Sequence, residues 1–442
     1  MKLFAIFVIF VLFNNCSFDN KSGIWKNENN ATGFPKDENQ EFKTLSLRNE
    51  AFDKKINIKE SFRFRIEDPI NNLEWEDIYF DQTNNFRNFQ YRDLNKISFR
   101  SKKLTKYNSN NFLLYRNNNL ITADSKGNII IYSINEKKII SKFNFYKKSY
   151  KKIDKILNLI IDGNVIYVSD NIGYLYAFNF EKNKLLWAKN YKIPFRSNLK
   201  LSKDKLIAAN QNNNLYFFNK YNGDTIRLIP TEETVIKNKF INNLSSNDIL
   251  VFFLNTYGSL YAIDMNSTRI IWYLNLNQSL DINPSNLFFS NQIINNDNKI
   301  VISTNQFTYI IDLQSGAILH KKNFSSQVKP IILENYLFLI TKNNYLVSVD
   351  LKNGKIIYFY NIDDKIAKFL NTKKKRGLEF KKITVVNNKI FIFLKNSFIL
   401  KFDLYGNLED LKKLPSKINS QPIFIDRSIL YLDKNRRLSI ID

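Results

Sequence analysis

The sequence predicts an all-β chain folded as an eight-bladed β-propeller of four-stranded blades. Three observations carry this reading. A short apolar frame recurs roughly every 44 residues, within the period of propeller blades. Each copy is preceded by one or two further short β-rich runs, separated by turn residues. No long amphipathic helical pattern appears where the frame repeats.

The two clearest copies are Gly173-Tyr174-Leu175-Tyr176-Ala177-Phe178-Asn179 and Gly258-Ser259-Leu260-Tyr261-Ala262-Ile263-Asp264. Trp187 follows Asn179 by eight residues, and Trp272 follows Asp264 by the same eight. Weaker copies begin at Gly127, Asn213, Gln306, Asn344, Ser397 and Arg436. His320 and Tyr358 take the Trp position in the units at 306 and 344. Val165–Val168, Ile249–Leu254, Lys299–Ser303 and Tyr336–Ile340 supply earlier strands of their units. The last unit stops at Asp442, after its third strand, so an N-terminal strand must complete that blade or leave an open edge. Lys96–Ser101 is the candidate.

The frame's chemistry is structural. An apolar strand lies between neighbouring blades, and the Asp or Asn after it satisfies backbone N–H groups in a turn. Gly223, Gly316 and Gly354 permit positive φ there. Trp187 and Trp272 are read as docking residues that lie across the next blade, each burying about 150–250 Å². His320 and Tyr358 take the same role.

Composition narrows the chemistry further. A hydrophobic fraction of 44% with 15% aromatic residues is ample for a core. One Cys excludes an intramolecular disulfide framework, and one His excludes a two-His metal site. Lys and Arg number 66 against 41 Asp and Glu, a net charge of +25. Such a surface attracts anions, although Lys, Asn, Ile and Phe all have A/T-rich codons, and codon bias explains much of the excess. Lys147-Lys148, Lys151-Lys152 and Lys373–Arg376 are basic runs in loops, read as solvated charge or as contacts with anionic lipid or an acidic partner.

The chain opens with Met1-Lys2 and an apolar run, Leu3–Phe13, the pattern of a signal peptide over residues 1–15 and too short for a membrane span. Cys16 sits where that run ends. A lone cysteine there resembles the lipobox of bacterial lipoproteins, which implies acylation of Cys16 and an anchor in the outer membrane; Asn15 departs from the small residue usual before it. Residues 16–60 read as a flexible tether, 61–95 as an extension packing on the propeller, and 96–442 as the propeller itself.

The frame Gly-x-Leu-Tyr-Ala-x-Asp, with its Gly turn and Trp, resembles the tryptophan-docking motif of the pyrroloquinoline-quinone-like propellers over about residues 96–442. Within them the layout of signal, lipid anchor, tether and single compact propeller resembles the BamB family of the outer-membrane β-barrel assembly (BAM) machinery. That resemblance implies a non-enzymatic scaffold without a cofactor. It would lie on the periplasmic face of the outer membrane, dock on the POTRA domains of BamA beside other BAM subunits, and transiently contact unfolded outer-membrane proteins. A nucleic-acid role would conflict with export. In the family a middle-blade loop meeting BamA carries aliphatic residues beside an arginine. Here Ile193, Phe195 and Arg196 match it. A second contact loop, acidic in the family, corresponds to Val235–Asn242, which holds no Asp or Glu. The alternatives are a quinoprotein dehydrogenase-like enzyme, disfavoured by the absence of paired cysteines and long insertions, and a propeller that binds periplasmic polymer.

Overall fold

The structure is a computed structural model of the 442-residue chain. It describes residues 60–233, 240–277, 288–372 and 377–442, together with Phe52, Ile56, Ile58 and the backbone of two short strands, Cys16–Phe18 and Trp25–Asn27. The chain divides into two units, Met1–Glu50 and Ala51–Asp442. In the first, Cys16–Phe18 and Trp25–Asn27 pair antiparallel. The apolar run expected to be a signal peptide lies outside the described residues.

The second unit is an eight-bladed propeller of antiparallel four-stranded sheets. Blades 1 to 7 begin with the strands Leu114–Arg116, Leu157–Asp162, Lys200–Ser202, Asn243–Ser246, Ile294–Asn295, Ile331–Leu333 and Phe380–Val386. Each then runs outward through three consecutive strands. Blade 8 joins Ile423–Ile425, Ser428–Leu432 and Arg437–Ile441 to an outer strand from the N-terminal side, Ile97–Lys103. There Ser439 pairs with Arg100 and Ile440 with Phe99. The expected closing strand therefore occupies its place, and no blade edge is left open at the seam.

Third strands are apolar on both faces because each blade lies between two others. Ile129, Ile130 and Ile131 in blade 1 are fully buried, which is why these segments read as continuous apolar runs rather than alternating ones. Fourth strands are more exposed, since one face meets solvent, as in Lys138–Asn144, and in Lys184–Asn190 exposed and half-buried residues alternate. In seven blades the third and fourth strands carry a register shift at the same point, between Ala177 and Phe178 in blade 2 and between Ala262 and Ile263 in blade 4. Such a bulge sharpens the local twist. In the connection from blade 6 to blade 7 a short helix, Ile362–Phe369, is capped by Asn361, whose side chain accepts from the N–H of Asp364. Phe52, within the stretch expected to be a tether, stacks on Tyr345 at 4.9 Å and meets Phe359.

Candidate functional site

The segment Asn72–Phe89 does not lie on the outside of the propeller; it runs through the centre and meets the first strand of every blade in turn. Asn72 bonds to blade 8, its side chain donating to Phe424 O and its carbonyl accepting from Asp426. Trp75 exchanges both backbone bonds with Tyr115 of blade 1 at 2.8 Å. Glu76 O accepts from Ile161 of blade 2. Gln82 O accepts from Ser246 of blade 4, and Thr83 O from Asn295 of blade 5. The Asn85 side chain pairs with both backbone groups of Ile332 in blade 6. Asn88 and Phe89 extend the sheet of blade 7 as a parallel strand. First strands would otherwise line a channel with unpaired N–H and C=O groups, and this plug satisfies them.

Its hub is in blade 3. Lys200, fully buried, donates from Nζ to Asp77 Oδ2 at 2.6 Å, to Asn84 Oδ1 at 2.6 Å and to Asp81 O at 3.0 Å. All three donors are used, as a buried ammonium requires. Burial pushes the Asp77 carboxyl upward while Lys200 pulls it back. Asn84, at φ +58°, also donates to Leu244 O and Ile293 O, so one side chain ties the plug to blades 3, 4 and 5.

The two mouths of the channel differ in charge. Where the first strands end, Glu74, Glu76, Asp81, Asp162, Asp248 and Asp297 mix with Arg87, Lys203 and Lys220. Where they begin, the lining contains Lys329, Lys381 and Lys382 and no Asp or Glu. Antiparallel order places each connection from a fourth strand to the next first strand on this second, basic face. Exposed Lys147, Lys148, Lys151 and Lys152 therefore lie on it, and so does the loop of Ile193, Phe195 and Arg196.

In that loop Phe195 must be reassigned. It is 2% exposed and packs against Tyr191 and Phe218, so it anchors the loop to the core and offers nothing to a partner. Ile193 and Arg196 are half-buried, and the Arg196 N–H donates to Ala209 O. Val235–Lys239 and Lys373–Arg376 lie outside the described residues, as does the Cys16 side chain.

The residues read as docking positions lie between blades. Half-buried Trp187 donates from Nε1 to Lys220 O of blade 3 at 3.0 Å and lies flat on Gly223. Trp272 donates to Leu313 O of blade 5 at 3.1 Å and lies on Gly316. His320 lies on Gly354 of blade 6. A Cβ on any of these glycines would come within 2.6 Å of the ring beneath. Positive φ and absent side chain are thus needed together. Tyr358 is fully buried, and the corresponding Gly406 meets Tyr360 more closely than Tyr358. A second set of turn residues escaped the sequence reading. Asp170 Oδ1 accepts from three successive N–H groups, Ile172, Gly173 and Tyr174, each at 2.8 Å, and Asn255 does the same for Tyr257, Gly258 and Ser259. Asp or Asn four residues before the third strand was the available signal.

These features define a propeller of the tryptophan-docking kind, closed and plugged by its own N-terminal segment. The chain belongs to the family of the outer membrane protein assembly factor BamB, whose model matches residues 121–358, more than half its length. Among curated proteins none matches it in sequence. The fold is similar to BamB from Moraxella catarrhalis, at 11% identity and a TM-score of 0.60, covering 77% of this chain and 99% of that one. It is also similar to a europium-containing methanol dehydrogenase, at 10% identity and a TM-score of 0.59, covering 83% and 89%. A computationally designed protein, Ika8, shares the fold at 11% identity and a TM-score of 0.56, covering 77% and 99%. At these identities the likeness is one of fold.

Proposed function

We propose that this protein is a non-enzymatic scaffold lipoprotein of the outer-membrane β-barrel assembly machinery. It is anchored through Cys16 to the periplasmic face of the outer membrane and docks on BamA. The observation that carries this reading is the family match across residues 121–358. The plug supports it, because a channel filled by the chain's own backbone directs partners to loops and blade edges. The fourth strands of blades 1 to 5 are sheet edges that expose Ile140, Leu186, Ile226, Ile271 and Leu319. An unfolded strand can add to such an edge through backbone bonds.

The enzyme reading draws on the likeness to a methanol dehydrogenase. A calcium-held quinone needs carboxylate and amide ligands at its cavity. The cavity at the basic mouth offers three lysines and no carboxylate, and the carboxylates at the other mouth, like those of the other described residues, do not gather in threes as a metal site would need. Capture of BamA by the purified chain is the expected result, with no dye reduction on adding pyrroloquinoline quinone and calcium. Dye reduction without BamA capture would overturn the scaffold reading. A palmitate analogue should label the wild type and not Cys16→Ser; equal labelling would remove the lipid anchor.

A further inference from the structure

We propose that the basic mouth of the channel is a binding site for a small organic oxyanion, a carboxylate or phosphate carried on a flat apolar body. This goes beyond the scaffold role and does not depend on it. The site is a cavity of about 250 Å³ lined by Trp75, Phe86, Phe112, Lys329, Lys381 and Lys382, among others. Lys382 is 5% exposed, and its Nζ donates to Pro422 O at 2.7 Å. The same Nζ sits 4.1 Å from the centre of the Phe86 ring and 5.0 Å from that of Trp75. Lys329 donates to Asn84 O in the plug and lies 3.3 Å from the same Phe86 ring. Lys381 donates to Asn419 O at 2.6 Å.

An ammonium has three donors, and each of these uses one on a backbone carbonyl. No carboxylate of the described residues lies within ion-pair distance of any of the three. Buried Lys155 likewise donates to a backbone carbonyl, that of Tyr150, without an ion-paired carboxylate, but two other buried lysines are paired. Lys200 has Asp77, and Lys401 has Asp93 and Asp410. Trp75 Nε1 and Gln421 Oε1, both on lining residues, are buried without a partner. Three lysines without an ion-paired carboxylate, a spare indole donor and aromatic walls in one cavity suit an anion with a ring or short apolar body, Asp81 and Asp77 acting on Lys329 only from a distance. Burial pushes Lys329 and Lys382 well below the usual lysine range and Lys381 to about 8, a load that a bound oxyanion relieves. The cavity is smaller than the usual drug-sized pocket of about 300–1,000 Å³, so the ligand is a ring or short chain with one acidic group. Exposed lysines at 147, 148, 151 and 152 on the same face steer anions toward it.

The test is calorimetry on the full chain with benzoate, phenyl phosphate, acetate, inorganic phosphate and benzyl alcohol. Benzoate or phenyl phosphate should bind at least about tenfold more tightly than benzyl alcohol, and Lys382→Gln should weaken that binding at least about tenfold. Lys329→Gln should do the same, so the outcome stands if one variant fails to fold. Acetate or inorganic phosphate binding as tightly as the aromatic anions would assign the site to a bare ion and overturn the apolar body. No binding by any anion, or unchanged affinity in both folded variants, would overturn the site.

Discussion

Asp77→Ala tests the plug at its most constrained point. Among the described residues the substitution removes the only carboxylate paired with Lys200, whose side chain is fully buried. Asn84 Oδ1 and Asp81 O remain as acceptors, but both are neutral. Breaking one side of a buried ion pair costs about 3–5 kcal/mol, because the remaining charge stays out of water without a counter-charge. The N–H of Tyr79 also loses its acceptor, Asp77 Oδ1 at 2.9 Å. Lys200→Met should cost less, about 2–3 kcal/mol, because burial already favours the neutral Asp77 carboxyl, which can take a proton. The double variant should be more stable than Asp77→Ala alone, since no unpaired charge is left. Urea midpoints of the four proteins measure this, and limited proteolysis reports whether residues 70–95 have been released. An Asp77→Ala protein that unfolds at the wild-type midpoint would refute the reasoning, and so would single-variant costs that simply add in the double.

Gly316→Ala should destabilise by about 2–4 kcal/mol, from a strained positive φ and a Cβ 2.6 Å from the Trp272 ring. In a Trp272→Ala background, itself costing about 2–3 kcal/mol because the ring is half-buried, only the backbone part of that penalty should remain. His320→Trp restores the residue of blades 2 and 4 and should stabilise. Burial, with Lys322 beside it, holds the imidazole below its ordinary 6.5, so the unfolded chain takes the proton first as pH falls. The advantage of His320→Trp over wild type should therefore widen between about pH 7.5 and about pH 5.5, as melting curves at both would show. Arg196→Ala should weaken BamA affinity by about 2 kcal/mol while costing stability no more than about 1 kcal/mol. The reverse pattern would make Arg196 a structural residue.

What the sequence displayed was whatever recurs at fixed local spacing. The Trp offset of eight is legible because third and fourth strands share one turn length and one bulge, which places Trp187 opposite Ala177, Trp272 opposite Ala262 and His320 opposite Ile310. The closing strand was legible because a blade short of one strand demands it. The plug was not, because its backbone and side-chain bonds reach over up to several hundred residues and impose no periodicity on Asn72–Phe89. The buried lysines were hidden by abundance. Lys382 looks like any of the chain's other basic residues until the strand Phe380–Val386 places it at the channel mouth. Phe195 was misread for a related reason. A loop between blades looks exposed in sequence, whereas its bridge to Asn210 turns the ring inward.

Residues 72–103 fill the centre of the ring and then close its rim, and this changes how the repeats cooperate. In an open solenoid each repeat meets only its neighbours, and stability adds along the chain. Here Asn84 bonds to the first strand of blade 4 and to Ile293, which leads into that of blade 5, Asn85 to blade 6, and Ile97–Lys103 to the last strand of the chain. The segment is among the earliest synthesised, yet its partners in blades 7 and 8 are among the last. The first strands of the other blades therefore keep unpaired edge groups until the ring closes. Closure and plugging are thus one late, long-range step, of the kind whose loop-closure entropy slows folding. It follows that loss of Arg437–Ile441 would do more than fray blade 8. It would free the rim strand and, through Arg92, whose N–H bonds to Arg427 and whose guanidinium pairs with Asp442, loosen the exit of the plug.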